Sequence, residues 1–145
     1  MSRQNDICIF THEKNSAGGD LDIKATYFKC TRPILVTGVV FIGENPSDTD
    51  TDTTAVDVDY DTDGAGLFTS EICSLAATEY NDTTPTVATF GATGVGVTIP
   101  LTTAALAANP VGVRVPAGRS VRVLSTDVGA GADTRYMVQV EYIVL

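Results

Sequence analysis

The last third of the chain leaves the fewest choices. Val111 to Leu145 reads VGVRVPAGRSVRVLSTDVGAGADTRYMVQVEYIVL. Val111, Val113 and Val115 alternate with Gly112 and Arg114, and Val121 and Val123 flank Arg122. Successive side chains of a strand point to opposite faces, so a two-residue repeat gathers these valines on one face. Tyr136, Val138, Val140, Tyr142 and Val144 extend the pattern, with Met137, Gln139, Glu141, Ile143 and Leu145 opposite them. A helix needs a period near 3.6, so the segment predicts antiparallel sheet with one buried face. Between the first two runs stands Pro116-Ala117-Gly118-Arg119-Ser120. Proline pre-sets φ and Gly118 accepts turn conformations that other residues resist, so 111–123 is expected to form a hairpin.

The rest of the chain repeats the theme in shorter pieces. Ile7-Cys8-Ile9-Phe10 is an apolar run, read as either a first strand or an arm that docks on a neighbour. Residues 1–15 therefore stand apart from a single β-sandwich domain over 16–145. Asn15 to Asp20 is an expected loop. Leu21, Ile23, Ala25 and Tyr27 alternate with Asp22, Lys24, Thr26 and Phe28, which predicts a half-buried strand. Arg32-Pro33 breaks it, and ILVTGVVFI (34–42) reads as a central strand buried on both faces. Residues 44–54, ENPSDTDTDTT, have nothing to bury and form an exposed loop. Val56, Val58 and Tyr60 alternate with Asp57, Asp59 and Asp61, a strand turned by Asp63-Gly64. Ser70 to Tyr80 is the best helix candidate, capped by Ser70 with Ile72, Leu75 and Ala76 at helical spacing, and a strand fits it nearly as well. Short strands are expected at 87–90 and 95–99, with one helical turn at 103–108 before Asn109-Pro110. The fold class that follows is all-β: an antiparallel sandwich, jelly-roll-like, of about eight strands with at most one or two short helices.

Bulk properties narrow the function. The 145 residues suit one domain, and 43% apolar residues suffice for a packed core. No run of eighteen apolar residues offers a membrane span, and MSRQNDICIF lacks the pattern of a secretory signal, so folding in a cytoplasm is expected. Cys8, Cys30 and Cys73 are odd in number and scattered, which favours reduced core thiols over disulfides or zinc. A net charge of −9 opposes nucleic-acid binding, which needs Lys and Arg to neutralise phosphates.

The charges are unevenly laid out. No Lys or Arg lies between Arg32 and Arg114, while eleven acids stand between Glu44 and Asp82. Arg114, Arg119, Arg122 and Arg135 gather in the final third. One reading is two complementary surfaces that a head-to-tail ring would match; the other is an ordinary solvated surface. Asp59-Tyr60-Asp61-Thr62-Asp63-Gly64 opens like a calcium loop, with Asp59, Asp61 and Asp63 as candidate ligands. The closing glutamate is missing, since Ser70 occupies its position, and Gly66 stands where Ile or Val is usual. Acids facing solvent along a strand that ends in an Asp-Gly turn explain the same letters. His12 is the one histidine, there is no G-x-S-x-G elbow, and Gly91 to Gly96 lacks the Lys-Ser/Thr of a phosphate loop. No enzyme activity is expected.

With these features placed, the chain resembles the small jelly-roll decoration (cement) proteins of tailed bacteriophage capsids. The likeness lies in length, acidity, low lysine content and the passages VTGVVFIGENPSD, VRVPAGRSVRVLSTD and RYMVQVEYIVL. The resemblance implies a non-catalytic homotrimer on the capsid exterior, made in the host cytoplasm, with the major capsid protein as partner and no nucleic acid or membrane. It makes 1–15 the candidate arm and 44–54 a candidate exposed surface. The apolar N-terminal run and the arginine layout give the candidate interface residues, Ile7, Ile9, Phe10, Arg114, Arg119 and Arg122. The alternative is a carbohydrate- or receptor-binding module of a head fibre or tail tip, with calcium as its candidate ion.

Overall fold

The structure is a computed structural model that describes residues 6–13, 22–43, 53–79, 96–128 and 135–145. The expected loop at 15–20, the expected strand at 87–90 and the glycine-rich stretches 91–94 and 129–133 lie outside those residues, as does the expected loop 44–54 apart from Thr53 and Thr54, which are strand. The elements are β1 (Asp6–Glu13), β2 (Asp22–Lys29), β3 (Ile34–Gly43), β4 (Thr53–Asp61), β5 (Phe68–Glu79), β6 (Gly96–Thr98), α1 (Thr103–Ala108), β7 (Val113–Val115), β8 (Ser120–Val128) and β9 (Arg135–Val144).

Every strand pairing is antiparallel, and the pairings nest. β1 pairs with β9, β2 with β8, β3 with both β6 and β7, and β4 with β5. Lateral contacts of β9 with β3 and of β8 with β4 complete two sheets, β1-β9-β3-β6 with β7 on β3, and β2-β8-β4-β5. β6 and β7 lie along different stretches of the same β3 edge, so they share one position. Eight strand positions in two sheets, folded as one long hairpin rolled upon itself, make a jelly roll.

The core lies between the sheets. Val36, Val39, Phe41, Val138 and Val140 from the first meet Val56, Val58, Val121 and Val123 from the second. A bulge keeps β3 facing inward. Val36 pairs with Tyr142 and Gly38 with Glu141, so Thr37 is an extra residue and the inward set shifts from Ile34 and Val36 to Val39 and Phe41. The expected burial of β3 on both faces holds at Ile34, Leu35 and Val36, while Val40 and Ile42 are half-buried. Beside Leu35, Gly112 approaches so closely that a Cβ there would lie 2.2 Å from the Val36 carbonyl oxygen.

Two expectations fail. Residues 111–123 do not form a hairpin: β7 joins β3 in one sheet, and β8 runs between β2 and β4 in the other. Pro116 to Arg119 is a corner that crosses between sheets, with Gly118 at φ +82°. Cys30 holds it, accepting from Gly118 N–H at 2.7 Å and donating to Arg119 O at 2.8 Å. The valines on both sides do face the core, and periodicity alone does not name a strand's partner. Second, 68–79 is strand and the helix expected at 70–80 does not form. Ile72, Cys73 and Leu75 are all buried, which imitates helical spacing because the strand is bulged. The expected helical turn is α1.

Candidate functional site

The edge strands β1 and β2 lie on the same side of the sandwich. Phe10 of β1 and Phe28 of β2 meet across the sheets with ring centroids 5.9 Å apart, and Tyr142 stacks on Phe28 at the same distance. On β1, Cys8 and Phe10 turn inward while Ile7 and Ile9 are 53% and 56% exposed. Phe10 is thus a core residue, not an interface residue, whereas Ile7 and Ile9 sit on the outward face. The expected arm is a strand over its described part, and His12 stands opposite Tyr136 on it.

β2 reverses its expected facing. The apolar set Ile23, Ala25 and Tyr27 points outward, with Ile23 and Tyr27 57% and 55% exposed, and Phe28 from the opposite set packs inward. A strand shifted by one residue exchanges its whole apolar set between faces, so this outward display is a property of the register with β8. Four exposed large hydrophobic residues therefore lie on the two edge strands at one side of the sandwich, Ile7 and Ile9 on the outer face of the first sheet and Ile23 and Tyr27 on that of the second, and among the described residues each strand has one unpaired edge.

The outer face of the second sheet carries a charged centre. Tyr27, Arg122, Asp59 and Glu71 stand in register across β2, β8, β4 and β5. Arg122 grips Asp59 with both arms: Nε donates to Oδ1 at 2.9 Å and Nη2 donates to Oδ2. Its guanidinium also lies 4.7 Å from the centre of the Phe68 ring, which meets Tyr27 at 5.5 Å. Hydrogen bonding to Asp59 raises the pKa of Arg122 further. The acidic strand β4 and the arginine strand β8 are neighbours in one sheet, so Arg122 and Asp59 satisfy each other. Arg119 lies beside the turn after β4, close enough that a Cβ on Gly64 would come within 2.6 Å of its Nη1. Of the three arginines expected at an interface, Arg114 is exposed while Arg119 and Arg122 are half-buried.

The aspartates after Tyr60 serve the backbone. Asp61 is buried and accepts from the amides of Asp63 at 3.2 Å and Gly64 at 2.8 Å. Asp63 accepts from Ala65 at 2.8 Å and Leu67 at 3.2 Å. These bonds, Ala65 first, hold the Asp63 carboxyl below its ordinary value. Asp59 and Asp61 are therefore not the solvent-facing acids expected on an alternating strand: Arg122 covers Asp59 on the outer face, and the turn amides of Asp63 and Gly64 close on Asp61. Among the described residues no three His, Cys, Asp or Glu side chains come together as a metal site, and Asp59 points to Arg122 rather than to its two neighbours.

All three cysteines are free thiols. Burial pushes Cys30 up to about 11 and Cys73 up to about 12, and raises half-buried Cys8 as well. No described helix is long and apolar enough to cross a membrane.

No family model and no curated protein matches the sequence. Among solved structures, a chain of infectious bursal disease virus, Gx strain, aligns with TM-score 0.40 and 7% identity over 99% of this chain and 32% of that one. A chain of the Gt strain aligns with TM-score 0.25 and 8% identity over 97% and 41%. The chain thus spans less than half of either. Likeness at this level carries no argument, and the jelly roll rests on the strand pairing alone.

Proposed function

We propose that the chain is a non-catalytic structural protein of a virion that binds the outer capsid surface at subunit junctions as a homotrimer. The observation that carries this reading is the outward apolar rim, Ile7 and Ile9 on β1 with Ile23 and Tyr27 on β2. Large apolar side chains left exposed on edge strands are the composition of a protein contact. A jelly roll with its interior filled by valine and phenylalanine suits a rigid binding body. A partner that binds only the assembled shell stabilises that shell by mass action, and three linked copies add avidity.

Sedimentation of the purified chain with shells of the virus that encodes it tests this. Co-sedimentation and a raised shell melting temperature are expected, with light scattering reading three copies of the free protein. A chain that stays in the supernatant, or a strict monomer, overturns the corresponding part. Ile9→Thr with Ile23→Thr keeps β-branching, so its own stability should change by less than about 0.5 kcal/mol per site. Shell binding should fall at least about tenfold.

A further inference from the structure

A groove of about 400 Å³ opens where the segment between β6 and β7 passes along the free edge of β5. Its upper end is closed by that segment, since Leu101 bridges to Cys73 and Thr102 N–H donates to Ile72 O at 3.0 Å. Beyond this bridge, Tyr60, Thr69, Ser70, Glu71, Thr102 and Val113 line the opening.

Bulges shape the wall. Tyr60 pairs with Ser70 and Asp61 with Phe68, so Thr69 is an extra residue; Val58 pairs with Cys73 and Asp59 with Glu71, so Ile72 is another. A bulge re-aims side chains that a regular strand would send to opposite faces. The consecutive hydroxyls of Thr69 and Ser70 consequently both meet Thr62 Oγ1, at 2.8 and 2.9 Å. Their positions are set before any ligand arrives, and each hydroxyl retains capacity for a further bond.

The lining selects by chemistry. Four hydroxyl groups give and accept hydrogen bonds, and the Glu71 carboxylate accepts. Among the described residues no Lys or Arg lines the groove, so an anion would face Glu71 uncompensated. A hydrocarbon would strip water from the hydroxyls and return no hydrogen bond. A sugar ring suits both requirements: its hydroxyls answer the polar wall, and its C–H face lies on Val113 and the Tyr60 ring. The volume is within the usual range for small-molecule sites. We propose that this groove binds a neutral, hydroxyl-rich ligand, a monosaccharide unit of a glycan. The site lies on β5, at the opposite edge of its sheet from β2, so a capsid contact through β1 and β2 leaves it open.

Saturation-transfer NMR on the full chain, with glucose, galactose, mannose, fucose and N-acetylglucosamine as separate probes, decides it. At least one sugar should receive saturation. Two variants should each weaken that sugar at least about tenfold, a difference of about 1.4 kcal/mol. Ser70→Ala with Thr102→Val removes two hydroxyls. Ala104→Phe fills the groove from the exposed side of α1, where the substitution leaves the sandwich core untouched. Retained melting temperature of Ala104→Phe excludes unfolding as the cause. Silence from every probe overturns the proposal, as does a sugar that binds Ala104→Phe as well as the wild type.

Discussion

β3 with β9 and β4 with β5 are both long antiparallel pairs, yet they do different work. β3 and β9 match over nine partner pairs with one bulge, at Thr37, and bury an almost wholly aliphatic inner face. β4 and β5 shift register three times. Those shifts draw Thr69 and Ser70 to one hydroxyl, and the same pair carries the Asp59 carboxylate and the Phe68 ring between which Arg122 lies. The regular pair is a frame, and the irregular pair positions polar groups. Bulges disturb a ladder locally, and the side chains they re-aim supply partners for the groups they displace.

The contrast can be broken first in the frame. Phe41→Ala removes a fully buried ring and should destabilise the protein by about 3–5 kcal/mol, read from denaturant unfolding. A loss under about 1 kcal/mol would mean that the inner face is not close-packed. Next, Asp59→Ala leaves the Arg122 guanidinium without its carboxylate and should cost about 1–3 kcal/mol. Adding Arg122→Met should recover part of that loss; strict additivity would show that the pair is not coupled. The smallest effect sharpens the turn that closes the irregular pair. The Asp63 carboxyl sits below its ordinary value of 3.8, so its bonds to Ala65 and Leu67 contribute above roughly pH 4 and fade as pH falls through the lowered value. Amide exchange at Ala65 and Leu67, corrected for intrinsic rates, should accelerate below that pH, and Asp63→Asn should weaken the pH dependence.

The same contrast explains what could be read from the letters. β9 and the inward valines of β7 and β8 followed directly from two-residue alternation, because each is regular over the stretch that touches the core. α1 was marked by its alanines and the Asn109-Pro110 stop. β5 looked like a helix because bulges at Thr69 and Ile72 place apolar residues at three-residue spacing on one side of a strand. β2 misled in another way. Its apolar alternation is real, but the side of the sheet it faces depends on register with β8, which no local pattern encodes. The groove was illegible for the same reason, since its hydroxyls come from β4, β5 and the segment before α1.

The amino-acid sequence by itself determined that this chain is an all-β sandwich with a largely aliphatic interior. Period-two hydrophobicity, β-branching and turn residues act locally, and each strand carries them within itself. Tertiary structure alone decided that Arg122 belongs to Asp59, that Val115 and Val121 part into different sheets, and that Ile23 and Tyr27 face outward. Those outcomes depend on pairing between distant segments: Arg122 reaches Asp59 across 63 residues, and Ile23 of β2 stands opposite Thr126 of β8. Which partner a strand takes is settled by the packing of the whole sandwich.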